Sequence, residues 1–299
     1  MREILRLKKL ESKNKNRANK LAQSTVEVSG ENSYPMPGGP GAIPPKGSAV
    51  TIELAVRADA KFDLNAADPC VKYVLDPLTD VGEQYRLLRA KLSQMQIQRG
   101  INILLVTSAV RSEGKTFTSC CIAGVCAQER GKRVLLIDAD LRKPKAALEL
   151  GLGGYGEISG LSQILRGEAT PEQVMFSSTN LDLCLIPAGP VPSDPSELLS
   201  SSLMGKTLEH LKECFEWVII DSPPVLGLAD ASILAPLCDT VILVVHTDKT
   251  PVKLIKEAVA RIGSDKICGI IMNRGERRDW NRYHYYRYYR ENTQGSHPG

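Results

Sequence analysis

The sequence predicts an α/β fold: a mostly parallel, twisted sheet with helices on both faces. Three observations predict it. Six short runs rich in Ile, Leu and Val recur between residues 101 and 272, each about as long as a strand. Stretches with helical spacing lie between several of them, and that alternation builds parallel strands covered on both sides. The first run opens into a glycine-containing loop that leads straight into a helix-forming segment. The chain has no internal repeat.

The elements follow in order. Residues 1–20 set Ile4, Leu5, Leu7 and Leu10 among lysines and arginines, the pattern of a short basic amphipathic helix or of a solvated tail. Residues 21–50 are rich in Ser, Gly, Pro and Asn, with Met36-Pro-Gly-Gly-Pro-Gly41 at the centre, and read as a linker. Residues 51–80 are mixed in character and read as an extended arm onto the main domain. Glu83–Met95 has helical periodicity, with Leu87, Leu88 and Leu92 on one side. Strands are expected at Ile101–Thr107, Arg133–Asp138, Leu181–Pro187, Trp217–Asp221, Thr240–His246 and Lys266–Met272. Helices are expected from Gly114, over Leu203–Phe215 and over Pro251–Ile262. The organisation is a basic, Gly/Pro/Ser-rich and largely disordered arm at 1–67, a nucleotide-binding domain at 68–275 and a flexible tail at 276–299. That tail holds Tyr283, Tyr285, Tyr286, Tyr288 and Tyr289, five of the nine tyrosines in the chain.

Composition bounds the class. A chain of 299 residues suits one large α/β domain with tails, or two small domains. Residues 1–20 carry eight Lys/Arg against two Glu, so the remainder is net acidic although the formal total is +4. A basic arm of this kind suits acidic lipid or nucleic acid. None of the eight cysteines forms a C-x2-C pair, and three fall in one expected helix. They read as small buried hydrophobes in a reducing compartment rather than as disulfides or zinc ligands. No run reaches the roughly 18 apolar residues of a membrane span, and the first twenty residues lack a signal-peptide core. The expectation is a cytoplasmic protein.

The loop after the first strand is Ala109-Val-Arg-Ser-Glu-Gly-Lys-Thr116. It is a P-loop with Ala in place of the first glycine. Backbone N–H groups at a helix N-terminus wrap phosphate oxygens. Lys115 would neutralise the β- and γ-phosphates, Thr116 would ligate Mg²⁺, and Gly114 lets the backbone approach closely. Two later strands end in acids, Asp138 and Asp140 after one and Asp221 after the other. Ligands in an open parallel sheet sit beyond the carboxyl ends of the strands, so all three acids point to the P-loop edge. That is one carboxylate more than Mg²⁺ usually requires, which frees one to act as a base. Gly151-Leu-Gly-Gly-Tyr-Gly156 fits the dinucleotide pattern but follows no strand, so it reads as a loop. Neither H-R-D nor V-A-I-K occurs, which excludes a eukaryotic-type protein kinase.

These residues resemble a known group. Ala109–Thr116, Leu135–Arg142 and Ile219–Pro224 look like the Walker A, A′ and B motifs of the bacterial tyrosine kinases, P-loop autokinases of capsule and exopolysaccharide synthesis. Glu83-Gln-Tyr-Arg86-Leu-Leu-Arg89 resembles that family's E-x2-R-x2-R oligomerisation helix. Pro187–Leu199 resembles its Pro/Gly-rich segment before "ELL", and the tyrosine tail fits as well. The resemblance covers about residues 68–290. It departs at Arg111-Ser112, where the family often has Pro-Gly, and in lacking a fused membrane domain, which makes it similar to the split arrangement.

The resemblance implies a P-loop NTPase fold, ATP and Mg²⁺ as cofactors, and autophosphorylation of Tyr283, Tyr285, Tyr286, Tyr288 and Tyr289. It implies nucleotide contacts from Ala109, Val110, Arg111, Ser112, Glu113, Gly114, Lys115, Thr116 and Phe117. Lys115, Asp138, Asp140 and Arg142 take the catalytic roles, with Asp138 as base and Arg142 steadying phosphate charge. Thr116, Asp140 and Asp221 hold Mg²⁺. Glu83, Arg86 and Arg89 join subunits in a ring in which each tail enters a neighbour's site. The implied partners are a transmembrane activator of the polysaccharide co-polymerase type and a phosphotyrosine phosphatase, with recruitment to the inner face of the plasma membrane. Two alternatives stay open. One is a non-kinase ATPase of the partitioning and positioning class, although Val110 stands where its signature lysine would be and Arg111 lies next door. The other is nucleic-acid binding by the tail, although residues 276–291 carry only five Arg against three acids.

Overall fold

The structure is a computed structural model that describes residues 60–153 and 158–275. Residues 1–59 of the arm, the linker among them, and the tyrosine row lie outside the described residues, whereas 61–67, placed in the arm by the sequence, hold a two-residue strand and a 3-10 turn with Phe62, Leu64 and Ala67 buried. The strands are β1 (Lys61–Phe62), β2 (Ile103–Ser108), β3 (Val134–Asp138), β4 (Phe176–Ser178), β5 (Leu183–Ile186), β6 (Trp217–Asp221), β7 (Thr240–His246) and β8 (Ile267–Asn273). The α-helices are α1 (Pro69–Leu75), α2 (Asp80–Arg99), α3 (Lys115–Ala127), α4 (Ala146–Glu149), α5 (Leu161–Arg166), α6 (Pro171–Val174), α7 (Pro195–Ser200), α8 (Ser202–Cys214), α9 (Asp230–Leu234) and α10 (Val252–Ile262).

One eight-stranded sheet runs in the order β1-β4-β5-β3-β6-β2-β7-β8. The pairs from β5 to β8 are all parallel. Only the β4–β5 pair is antiparallel, so β4 and its parallel neighbour β1 run against the rest. The sheet is thus mostly parallel, as expected, with two short strands added that the apolar pattern does not show.

Alternation along each central strand splits the core in two. Ile103 and Leu105 of β2 face one layer with Leu135 and Ile137 of β3, beneath α5 and α7–α10. Leu104 and Val106 face the other with Leu136 of β3 and Ile219 of β6, beneath α1–α4. Both faces are buried, which is why these strands read as continuous apolar runs.

Residues 69–75 correct the extended-arm expectation. Asp68 caps α1 by accepting from the Cys70 N–H at 2.7 Å, and Pro69 takes a first-turn position where a missing N–H costs nothing. Val71 and Val74, three residues apart, are then buried in the layer that holds α3. Helix α2 is capped by Thr79, whose hydroxyl accepts from the Gly82 N–H at 3.0 Å, and ends where Gly100 turns left-handed at φ 67°. Its Tyr85, Leu88 and Leu92 bury one face. The arrangement leaves the carboxyl ends of β3, β6 and β2 side by side at the centre of the sheet, where an open α/β sheet places its ligand.

Candidate nucleotide and phosphoryl-transfer site

Strand β2 ends at Ser108, and the chain reaches Lys115 of α3 through a six-residue loop. Two residues there are left-handed, Ser112 at φ 65° and Gly114 at φ 91°. Gly114 is required twice over. Its φ strains any side chain, and a Cβ would collide with the Asn273 amide nitrogen. The first-turn N–H groups of α3 have no partner within the helix and carry the positive end of its dipole. That is an anion site built from the backbone.

Behind the loop, Asp138 and Asp221 are register partners at the ends of β3 and β6. Lys115 Nζ donates to Asp140 Oδ2 at 2.7 Å and to Thr116 Oγ1 at 3.2 Å, and lies 3.7 Å from Asp221 Oδ2. Ser119 donates to Asp221 Oδ1 at 3.0 Å. Asp138 is 1% exposed and accepts three backbone N–H bonds, from Asp140 at 3.1 Å, Lys145 at 3.0 Å and Ala146 at 2.9 Å. Burial, reinforced by Asp221, lifts the Asp138 carboxyl to about 7, while the Ala146 N–H and Lys115 pull the other way. Asp221 is raised too, mainly by burial, against the stabilising pull of Lys115. Burial works against the Lys115 ammonium, but Asp221 and Asp140 outweigh it and the net shift is upward.

A divalent cation fits these residues. Asp221 Oδ2 is buried with no hydrogen-bond partner, and Thr116 stands in the first turn of the adjoining helix. Among the described residues no cluster of three or more His, Cys, Asp or Glu could hold a metal alone. A cation here would take its remaining oxygens from phosphates and water, as Mg²⁺ does.

The comparisons with known proteins agree with this geometry. The AAA domain family matches over residues 111–264. Tyrosine-protein kinase YwqD of Bacillus subtilis (strain 168) is 36% identical over 214 residues, covering 71% of this chain and 88% of the relative. The chain belongs to the bacterial tyrosine-protein kinases. The kinase domain of Escherichia coli tyrosine kinase ETK superposes with a TM-score of 0.63 at 31% identity, over 70% of this chain and 81% of that one. The chimerical protein CapA2B2 gives a TM-score of 0.63 at 25% identity, over 72% and 94%. The P-loop NTPase fold that the resemblance implies is the fold of this kinase.

The structure brings together Lys115, Thr116, Asp140 and Asp221, with Asp138 beside them. Most of the other expected site residues have partners within the chain. Arg142 Nε donates to Asp230 Oδ2 at 2.7 Å and its Nη2 to Ser196 Oγ at 2.7 Å. The Glu113 carboxylate turns inward, accepting from the N–H groups of Val110 at 2.7 Å and His246 at 3.1 Å. Arg111 and Ser112 are exposed at the loop's crest. On α2, Glu83 pairs with Arg86 of the same helix at 2.9 Å, and Arg86 also donates to the Pro77 carbonyl at 2.8 Å. Arg89 donates to the Val125 carbonyl at 2.7 Å, near the end of α3. Among the described residues of the kinase no helix is long and apolar enough to cross a membrane.

Sequence reasoning missed Ser119, Asp230, Thr250 and Asn273. Asn273 was findable, because it is a polar residue closing an apolar strand, the same signal that marked Asp221. Asp230 carries no such signal, since no strand precedes it.

Proposed function

We propose that this kinase transfers the γ-phosphoryl group of ATP to its own C-terminal tyrosines, Tyr283, Tyr285, Tyr286, Tyr288 and Tyr289, and thereby regulates exopolysaccharide synthesis and export. The observation that carries the reading is Asp138. A phenol with a pKa near 10 needs a base to attack at neutral pH, and a base works best when its own pKa lies near the working pH. The carboxyl of Asp138, raised to about 7 by burial, meets that condition beside the P-loop. In the step, a phenol oxygen bonds to the γ-phosphorus and its proton passes to Asp138. The bond from that phosphorus to the bridging oxygen breaks, and ADP leaves. Lys115 and the first-turn N–H groups of α3 hold the phosphates. Thr116, Asp140 and Asp221 would hold Mg²⁺, which supplies charge neutralisation on the transferring group.

The tails act between subunits of a ring, and Glu83, Arg86 and Arg89 on α2 form the contact. A transmembrane activator of the co-polymerase type recruits the kinase to the inner face of the membrane, and a phosphotyrosine phosphatase resets the tail. Each phosphate adds about −1.5 to −2 charge, so a basic tail becomes acidic and leaves its neighbour. A phosphotyrosine map after incubation with Mg·ATP tests the reading, with Lys115→Met as control. Phosphate on the tail tyrosines, lost in Lys115→Met, is expected. ATP hydrolysis with unmodified tyrosines would refute it. Mixing Lys115→Met with a tail-deleted, intact-site chain tests the transfer between subunits.

A further inference from the structure

The P-loop is held from behind by a buried network that the transfer reaction does not use. The Glu113 carboxylate is 1% exposed. One oxygen accepts from the Val110 N–H at 2.7 Å, which closes the loop's first half into a turn. The other accepts from the His246 N–H at 3.1 Å and from the Thr250 hydroxyl, which fastens the loop to the end of β7 and the segment before α10. The Glu113 backbone carbonyl takes a separate bond, from Asn273 Nδ2 at 2.9 Å, and that contact is buried. Asn273 is itself fixed as the last residue of β8. Its own carbonyl accepts from the Thr247 N–H at 2.9 Å and its side-chain oxygen from the Arg274 N–H at 2.9 Å.

The geometry of one peptide unit gives this network a consequence. The peptide joining Glu113 to Gly114 is planar and trans, so its C=O and N–H point in opposite directions. Asn273 anchors the carbonyl. The Gly114 N–H therefore faces away from Asn273, on the opposite side of that peptide. We propose that Asn273 is a positioning residue for the nucleotide: it sets the Glu113–Gly114 peptide so that the Gly114 N–H meets bound phosphate, with Glu113 and Thr250 stiffening the loop behind it. The proposal rests on the nucleotide reading of the loop. It also accounts for the missing side chain at 114, because any Cβ there occupies the place of the Asn273 amide.

The experiment measures binding of ADP and of inorganic tripolyphosphate to the full chain by calorimetry. Wild type, Asn273→Ala and Thr250→Val are compared, with thermal unfolding as a check on the fold. Losing the Asn273 bond leaves a buried carbonyl unpaired and frees the peptide to rotate, so both ligands weaken together by about tenfold. Thr250→Val, which removes one bond to a carboxylate that keeps two others, weakens both by about threefold. Equal loss for both ligands supports a role through the loop, since tripolyphosphate has no base or sugar. Loss confined to ADP overturns the proposal, because Asn273 would then act on the nucleoside. Unchanged affinity for both also overturns it. If Asn273→Ala does not fold, Thr250→Val decides: unaltered affinity for both ligands overturns the proposal. A wild type that binds neither ligand defeats the nucleotide reading itself, which is a different result from a wild type that binds and a variant that matches it.

Discussion

Arg142→Ala should destabilise this kinase more than the loss of an ordinary surface arginine. The Asp230 side chain is 0% exposed and Arg142 is 34% exposed. Arg142 supplies two bonds to the acid, at 2.7 and 3.3 Å, and Ser196 supplies one at 2.6 Å. Removing the arginine strands a buried carboxylate with a single hydroxyl. Breaking a buried pair from one side costs 3–5 kcal/mol, and water admitted through the exposed third of Arg142 argues for the lower end, about 3 kcal/mol. For a domain of this size that lowers the unfolding midpoint by about 6–12 °C. Asp230→Asn should cost only about 1 kcal/mol, because the freed guanidinium can hydrate. The double variant should cost less than the two single ones together, since it removes the stranded charge. Urea and thermal unfolding of the four proteins measure all of this. ADP affinity measured alongside separates two roles for Arg142. If it acts by holding the loop after β3 against α7 and α9, both single variants shift affinity alike. Arg142→Ala unfolding like wild type, or strict additivity in the cycle, would refute the reasoning.

Two other outcomes follow from the site. Asp138 keeps its proton up to about 7 in the folded chain, against an ordinary value of 3.8. The folded state therefore binds the extra proton across that window, and this group's contribution makes stability fall as pH rises through it. Urea midpoints measured at about pH 5 and about pH 8 should show the decline, and Asp138→Asn should flatten it. Gly114→Ala combines a left-handed φ of 91° with a clash against Asn273. It should cost about 2 kcal/mol of stability and abolish ADP binding, both readable from one thermal-shift titration.

The candidate site's residues were legible where function and fold share one signal. A parallel strand buried on both faces is an unbroken apolar run, so a carboxylate at its end stands out. Asp138, Asp140 and Asp221 were visible for that reason, and the Lys115-Thr116 pair stood out because α3 follows the loop directly. Strands β1 and β4 were invisible because two- and three-residue strands have no period to read. They exist through pairing at a sheet edge rather than through local propensity. Helix α1 was misread because 69–75 buries only Val71 and Val74, too few positions to distinguish a helical stripe from a mixed segment.

Contacts with long-range partners were not legible at all. In the sequence, Arg142 is a basic residue two places after Asp140, and its natural reading is phosphate contact. Its nearest partners come from residues 196 and 230, in helices that no motif connects to it. Glu113 presents the same difficulty. The resemblance makes it a nucleotide contact, although a carboxylate facing bound phosphate would meet like charge. The fold resolves this by turning the carboxylate into the protein, where Val110, His246 and Thr250 satisfy it with hydrogen-bond donors. The negative charge then serves to hold the loop while the helix N-terminus faces the ligand. Residue type and spacing locate such a group, but only its partners determine which side of the loop it acts on.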